Sequence, residues 1–162
     1  MKSLSIRAWP PLAVMLLVLL LSAGESRAGS WNGIEPFKSR RADVIKILGE
    51  PNSDSAEGML RFKVMGGSVQ VSFVDAKFVA AKKLRPDTEG TVLQIVLQHE
   101  GSTQTPESMK LTQNRSFTRE ENNSSLVFRN MKDGIIYTFF QGTLKTTRYS
   151  FSDDQLSRAR RR

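Results

Sequence analysis

The sequence predicts an α+β domain: a short N-terminal helix, with a second short helix, packed on an antiparallel sheet of about five to six strands. Three observations predict it. Residues 39–51 (SRRADVIKILGEP) carry a helix with both a start and a stop signal. From Met59 onward the apolar period changes to two. Between Leu126 and Phe151, three short β-patterned runs are separated by tight-turn sequences.

Taken from the N-terminus, residues 1–28 read as a secretory signal peptide. Lys2 and Arg7 supply positive charge, Leu12 to Leu21 is an unbroken apolar run, and Ser26-Arg27-Ala28 places small side chains three and one residues before a cut after Ala28. The alternative is a retained membrane anchor. Trp9 to Ala23 offers only 15 mostly apolar residues for it, against the roughly 20 that a spanning helix needs. Export to the periplasm or the extracellular space is the expectation, and the absence of cysteine leaves neither a disulfide framework nor a lipid-modified cysteine. Residues 29–152 are expected to form one domain, and residues 153–162 a basic, disordered tail.

In the mature part, Trp31 to Phe37 is an entry segment broken by Gly33 and Pro36. Ser39 suits the N-cap of the first helix. Val44, Ile47 and Leu48 make its apolar stripe, Asp43 and Lys46 are spaced to pair, Gly49 takes a left-handed closing conformation, and Pro51 stops the helix. Leu60, Phe62 and Val64, then Val69, Val71 and Phe73, alternate on either side of a Gly66-Gly67 turn, which predicts a hairpin. Residues 75–90 are compatible with a helical turn or an irregular connection. Thr91 to His99 reads as a strand with Leu93, Ile95 and Leu97 on one face, and Thr105-Pro106 opens a short helix through Leu111. Asn114 to Ser125 is polar and expected to be an exposed loop. It holds three glycosylation-acceptor patterns, at Asn114, Asn122 and Asn123. A meander follows: 126–131, 135–140 and 144–151, joined through Lys132-Asp133-Gly134 and Gln141-Gly142. The chain thus falls into two halves of similar type, each a short helix followed by antiparallel strands.

Charge narrows the partners. The net charge is +8, and removing Lys2, Arg7, Arg27 and Glu25 with the signal takes it to +6. Arg158, Arg160, Arg161 and Arg162 account for four of those six, so the body of the domain is nearly neutral and nucleic acid is not an expected partner. The arginine-rich end suits an anionic lipid surface. Arg40 and Arg41, at the start of the first helix, are candidate contacts for an anion or a partner.

The catalytic inventory is thin. Cysteine chemistry is excluded, His99 is the single histidine, and there is no G-x-S-x-G elbow. His99 reads as a strand-end histidine facing water, the competing role being a general base oriented by Glu100. Glu120-Glu121 and Asp153-Asp154 read as solvated loop charges, and no metal or cofactor is expected.

Ile34, Ser39, Asp43-Val44, Ile47-Leu48-Gly49 and Pro51, followed by a hairpin, form a pattern that resembles the SmpA/OmlA (BamE-like) family of small bacterial envelope proteins. Trp31, Gly33, Ile34, Pro36, Ser39, Arg41, Asp43 and Val44, with Asp133, Gly134, Ile135 and Tyr137 further on, also resemble a group of uncharacterised secreted bacterial proteins. The first resemblance covers residues 31–75 and implies helices packed on an antiparallel sheet and a scaffolding role in outer-membrane assembly, although that family's lipid-anchor cysteine is missing here. The expected function is therefore a non-enzymatic exported binding or assembly scaffold with a protein partner in the cell envelope. An exported hydrolase using carboxylates with His99, and a membrane-peripheral protein held by its arginine tail, are the alternatives.

Overall fold

The computed structural model describes residues 29–54 and 58–160; the expected signal segment lies outside the described residues. The elements run α1 (Arg41–Leu48), β1 (Ser53–Asp54), β2 (Leu60–Val64), β3 (Gly67–Phe73), α2 (Ala76–Lys82), a 3₁₀ turn (Pro86–Thr88), β4 (Val92–His99), β5 (Thr118–Asn122), β6 (Ser125–Asn130), β7 (Ile135–Phe140), β8 (Thr143–Ser150) and α3 (Asp153–Ala159). The class is α+β, as expected. The sheet, however, has eight strands rather than five to six, in the order β1-β2-β3-β4-β8-β7-β6-β5, and every neighbouring pair is antiparallel. Two four-stranded meanders are laid side by side in mirrored order, meeting where β4 pairs with β8.

The extra strands came from segments without a β pattern. β5 (TREEN) is exposed along its whole length, so no apolar alternation marks it. Backbone pairing with β6 holds it, helped by Arg129 to Glu120 at 3.0 Å and Arg119 to Glu121 at 2.7 Å. Charged side chains on an edge strand discourage further pairing with other chains. β1 is a two-residue strand at the opposite edge. There Asn52 extends the cover: its N–H donates to Arg61 O at 2.8 Å, and its side-chain oxygen accepts from Lys63 N at 2.6 Å.

One face of the sheet is the core. A cross-strand row on it runs Phe62–Val69–Leu97–Thr147–Tyr137–Phe128–Arg119. Over the first meander it is covered by Ile34 and Val44, both fully buried, with Trp31, Ile45 and Leu48 around them. The apolar stripe of α1 is therefore Val44, Ile45 and Leu48; Ile47, expected in it, is 41% exposed. The helix is only eight residues long and is seated beside Ile34, which turns its contact side by about one position. Its start also lies one residue later than expected. Arg40 is the N-cap, and its N–H donates to the Asp43 carboxylate at 2.8 Å, so Asp43 serves the cap rather than Lys46. The Ser39 hydroxyl accepts from Glu35 N instead, at 2.9 Å, bracing the entry segment. Gly49 closes the helix at φ +83° and ψ −164°, a combination tolerated essentially by glycine alone, rather than in the left-handed helical region.

Over the second meander the cover is the segment 105–117. Leu111 is buried on Phe128, Phe139 and Leu144, with Met109 and Phe117 beside it. The helix expected from Thr105 is a single turn, closed by Met109 N to Thr105 O at 3.1 Å and Leu111 N to Pro106 O at 2.9 Å. Lys110 at φ +55° breaks its continuation. The further helices lie elsewhere. Asp75 caps α2 by accepting from Phe78 N at 2.7 Å, so the ambiguous stretch 75–90 is a helix followed by a 3₁₀ turn. Ser152 caps α3 by accepting from Gln155 N at 3.2 Å, so the expected disordered tail is helical as far as Ala159. α2 and α3 share a third cluster, Val79, Leu84 and Ala159 with Val74 below them, at the end where β3 and β8 leave the sheet. Phe37 stacks on Phe151 beside it, ring centroids 4.7 Å apart.

The hairpin turn is Met65-Gly66, because Gly67 is already paired in β3 opposite Val64 on one side and His99 on the other. In β4 a register shift at Ser72/Phe73 puts Val92 into the core, while Leu93, expected beside Ile95 and Leu97, joins the α2–α3 cluster.

Candidate functional site

A band of the core face separates the two covers. Leu97 and His99 of β4, Thr147 and Tyr149 of β8 and Tyr137 of β7 occupy the gap, all half-buried except Thr147, which is buried. Their side chains share a face by strand register: Leu97 lies opposite Thr147, and Thr147 opposite Tyr137. At one end of this band a cleft of about 460 Å³ is walled by Trp31 and Leu48 from the N-terminal cover, Val64 and Met65 from the hairpin, and Leu97 and His99 from β4. Met65, at the hairpin tip, is fully exposed at its rim.

His99 Nε2 lies 2.9 Å from Thr147 Oγ1, which fixes the ring against the neighbouring strand rather than toward Glu100. It is half-buried and does not face open water as expected. Burial lowers its pKa from the ordinary 6.5, so the neutral ring predominates at pH 7. Burial raises Tyr137, and it raises Tyr149 with a further contribution from the charge of Tyr137, so both hydroxyls stay protonated. The band is therefore neutral and hydrogen-bonding, with apolar walls at its cleft end.

The lowered pKa of His99 has a consequence for stability. Folding favours the neutral ring, while the unfolded chain takes up a proton near pH 6.5. Stability from this group is therefore fully present above that value and is lost as pH falls through the lower folded value. Denaturant titrations of His99→Gln should show a smaller loss of stability between pH 7.5 and pH 5 (~2.5 pH units) than the parent chain. Equal losses would show that His99 is not the responsible group.

The arginines singled out in the sequence are not brought together here. Arg40 reaches back across the chain, donating to the carbonyls of Asp87 at 2.9 Å and Glu89 at 3.2 Å, and so ties the start of α1 to the 3₁₀ turn. Arg41 is paired with Asp54. Arg158 and Arg160 stand exposed at the end of α3, while Arg161 and Arg162 lie outside the described residues. Among the described residues no three His, Asp or Glu side chains converge on a metal-sized site. Glu120-Glu121, expected in a loop, are on a strand and point to opposite faces, paired with Arg129 and Arg119; Asp153-Asp154 form the first turn of α3. No helix among the described residues is long and apolar enough to cross a membrane.

The cleft was not legible in the sequence, because Trp31, Leu48, Val64 and Leu97 lie on four separate segments. One local signal existed: Met65 is an apolar residue in a tight turn, where polar residues are the rule. No family model, no curated protein and no solved structure matches the chain.

Proposed function

We propose that this protein is a non-enzymatic binding module of the cell envelope, and that the cleft between Trp31 and His99 receives an apolar side chain of a protein partner. The observation that carries the reading is the pairing of a half-open apolar cleft with a fully exposed methionine at its rim. Binding sites combine apolar walls with a few polar groups that fix orientation. Here Asn32 and His99 supply the polar groups, and Trp31, Leu48, Val64 and Leu97 the walls. Methionine is flexible and polarisable, which suits a contact that adapts to its partner. The apolar leader in residues 12–21 supports an envelope or secreted location.

The hydrolase alternative needs several acids beside His99. The hydrogen-bonding neighbour of the ring is Thr147, Glu120 and Glu121 are paired with Arg129 and Arg119, and Asp153-Asp154 lie in the first turn of α3. The test is affinity capture from envelope extract with the parent chain and with Trp31→Ala. A partner retained by the parent should be lost at least tenfold by the variant, a loss within the range of a buried aromatic anchor. Equal recovery by both chains would remove the cleft from the account.

A further inference from the structure

The basic end of the chain is not a free tail in the fold. The Arg85 N–H donates to Ala159 O at 2.9 Å, and Leu84 and Arg160 form an antiparallel bridge. These contacts set the end of α3 against the end of α2, where the sequence has a second basic run, Lys82-Lys83-Leu84-Arg85. α2 stops at Lys83 in the left-handed conformation, φ +55°, with its N–H closed back onto Ala80 O and Val79 O. Beneath the turn Leu84 is fully buried, holding the corner in place. The outcome is a second cleft, about 430 Å³, lined by Ala81, Lys82, Lys83 and Arg160. Its three cations are exposed, and among the described residues none of them is paired with an acid. Arg85 is paired with Asp87 at 3.5 Å, which leaves the cleft's own lining wholly positive. Arg161 and Arg162 follow Arg160 directly in the sequence.

We propose that the ends of α2 and α3 form one composite cationic cleft that seats the protein on an anionic phospholipid surface. The proposal is independent of the cleft beside His99. Flexible, exposed ammonium and guanidinium groups around an open cleft attract a surface of many negative charges and have no buried donor with which to select one anion. A nucleic acid fits less well, since this cleft offers no aromatic face for a base and the body of the domain is nearly neutral. The sequence alone assigns such attraction to the terminal arginines; the fold makes Lys82 and Lys83 equal members of the site.

The experiment is vesicle co-sedimentation of the full chain, comparing phosphatidylcholine vesicles with vesicles that also contain phosphatidylglycerol. Residues 1–28, with Lys2, Arg7 and Arg27, are present in every arm, so their contribution cancels when each variant's preference is compared with the parent's. The parent chain should prefer the anionic vesicles, and added salt should erase the preference. Each cation near an anionic surface contributes about fivefold, so Lys82→Gln with Lys83→Gln should lower the preference about thirtyfold, and Arg160→Gln about fivefold. Lys82→Arg with Lys83→Arg should retain it. Lys63→Gln with Arg148→Gln, on the uncovered sheet face, should leave it unchanged. Three results would overturn the proposal: a preference insensitive to the Lys82/Lys83 neutralisation, an equal fall in the Lys63/Arg148 control, or abolition by inorganic phosphate at constant ionic strength, which would mark a discrete phosphate site.

Discussion

Gly67→Ala should cost about 4 kcal/mol, near the top of the range for a single substitution. A Cβ built on Gly67 lies 1.9 Å from the carbonyl oxygen of Gln98 and 3.0 Å from its carbon. Both are backbone atoms of the neighbouring strand, so no side chain can swing aside to make room. The φ of +149° adds strain for any L side chain. Gly67 begins β3 opposite His99, so the clash falls where β4 carries the histidine of the candidate site. Domains of this kind are stable by about 5–15 kcal/mol, and such a loss would leave a marginal fold. Gly66→Ala is the control. It also has positive φ, +81°, but nothing lies within 4 Å of its added Cβ, so only the backbone cost of about 1–2 kcal/mol applies. Urea denaturation of the two variants checks the difference. Similar midpoints would show that the approach of Gly67 to β4 is not close in solution.

Phe128→Ala should cost about 3–5 kcal/mol, the usual range for emptying a buried aromatic site. Phe128 is 1% exposed, packs edge-on against Phe139 with centroids 5.9 Å apart, and forms the floor on which Leu111 rests. The loss should be unevenly distributed. The segment 105–117 crosses the second meander chiefly on Leu111, Met109 and Phe117, so its protection depends on that floor. Hydrogen exchange at the Leu111 amide, bonded to Pro106 O, should accelerate more than at the Val44 amide, bonded to Arg40 O in α1. Equal acceleration at both sites would mean that the two covers do not open independently.

The parts of this fold that were legible in the sequence are those where burial alternates. β2 and β3 keep Leu60, Phe62, Val69 and Val71 buried between polar neighbours, and the hairpin can be read directly from that pattern. β7 and β8 were legible through the turn residues Gln141 and Gly142, both at positive φ. β5 was not, because a strand held by backbone pairing and ion pairs leaves no apolar period. The contact side of α1 is ambiguous in the sequence for a related reason. Val44, Ile45, Ile47 and Leu48 fit two overlapping stripes, and only the position of Ile34, ten residues before Val44, chooses Ile45 over Ile47. The third helix was hidden because its burial is slight: Ala159 and Leu156 meet the α2 corner, while polar and charged residues fill the rest. Apart from Met65, the candidate cleft left no mark in the sequence, since its walls come from the entry segment, α1, the β2–β3 hairpin and β4, which only the fold brings together.

Whether a partner meets the protein at the Trp31–His99 cleft can be read by site-specific photocrosslinking in the host cell. A photoreactive residue would be placed at Met65 on the rim of the cleft, and in a second chain at Phe140, which is 42% exposed on the opposite face of the sheet. One discrete protein adduct is expected from position 65, abolished by Trp31→Ala, and none from position 140. An adduct from position 140 alone, or one from position 65 that survives Trp31→Ala, would contradict a partner at this cleft.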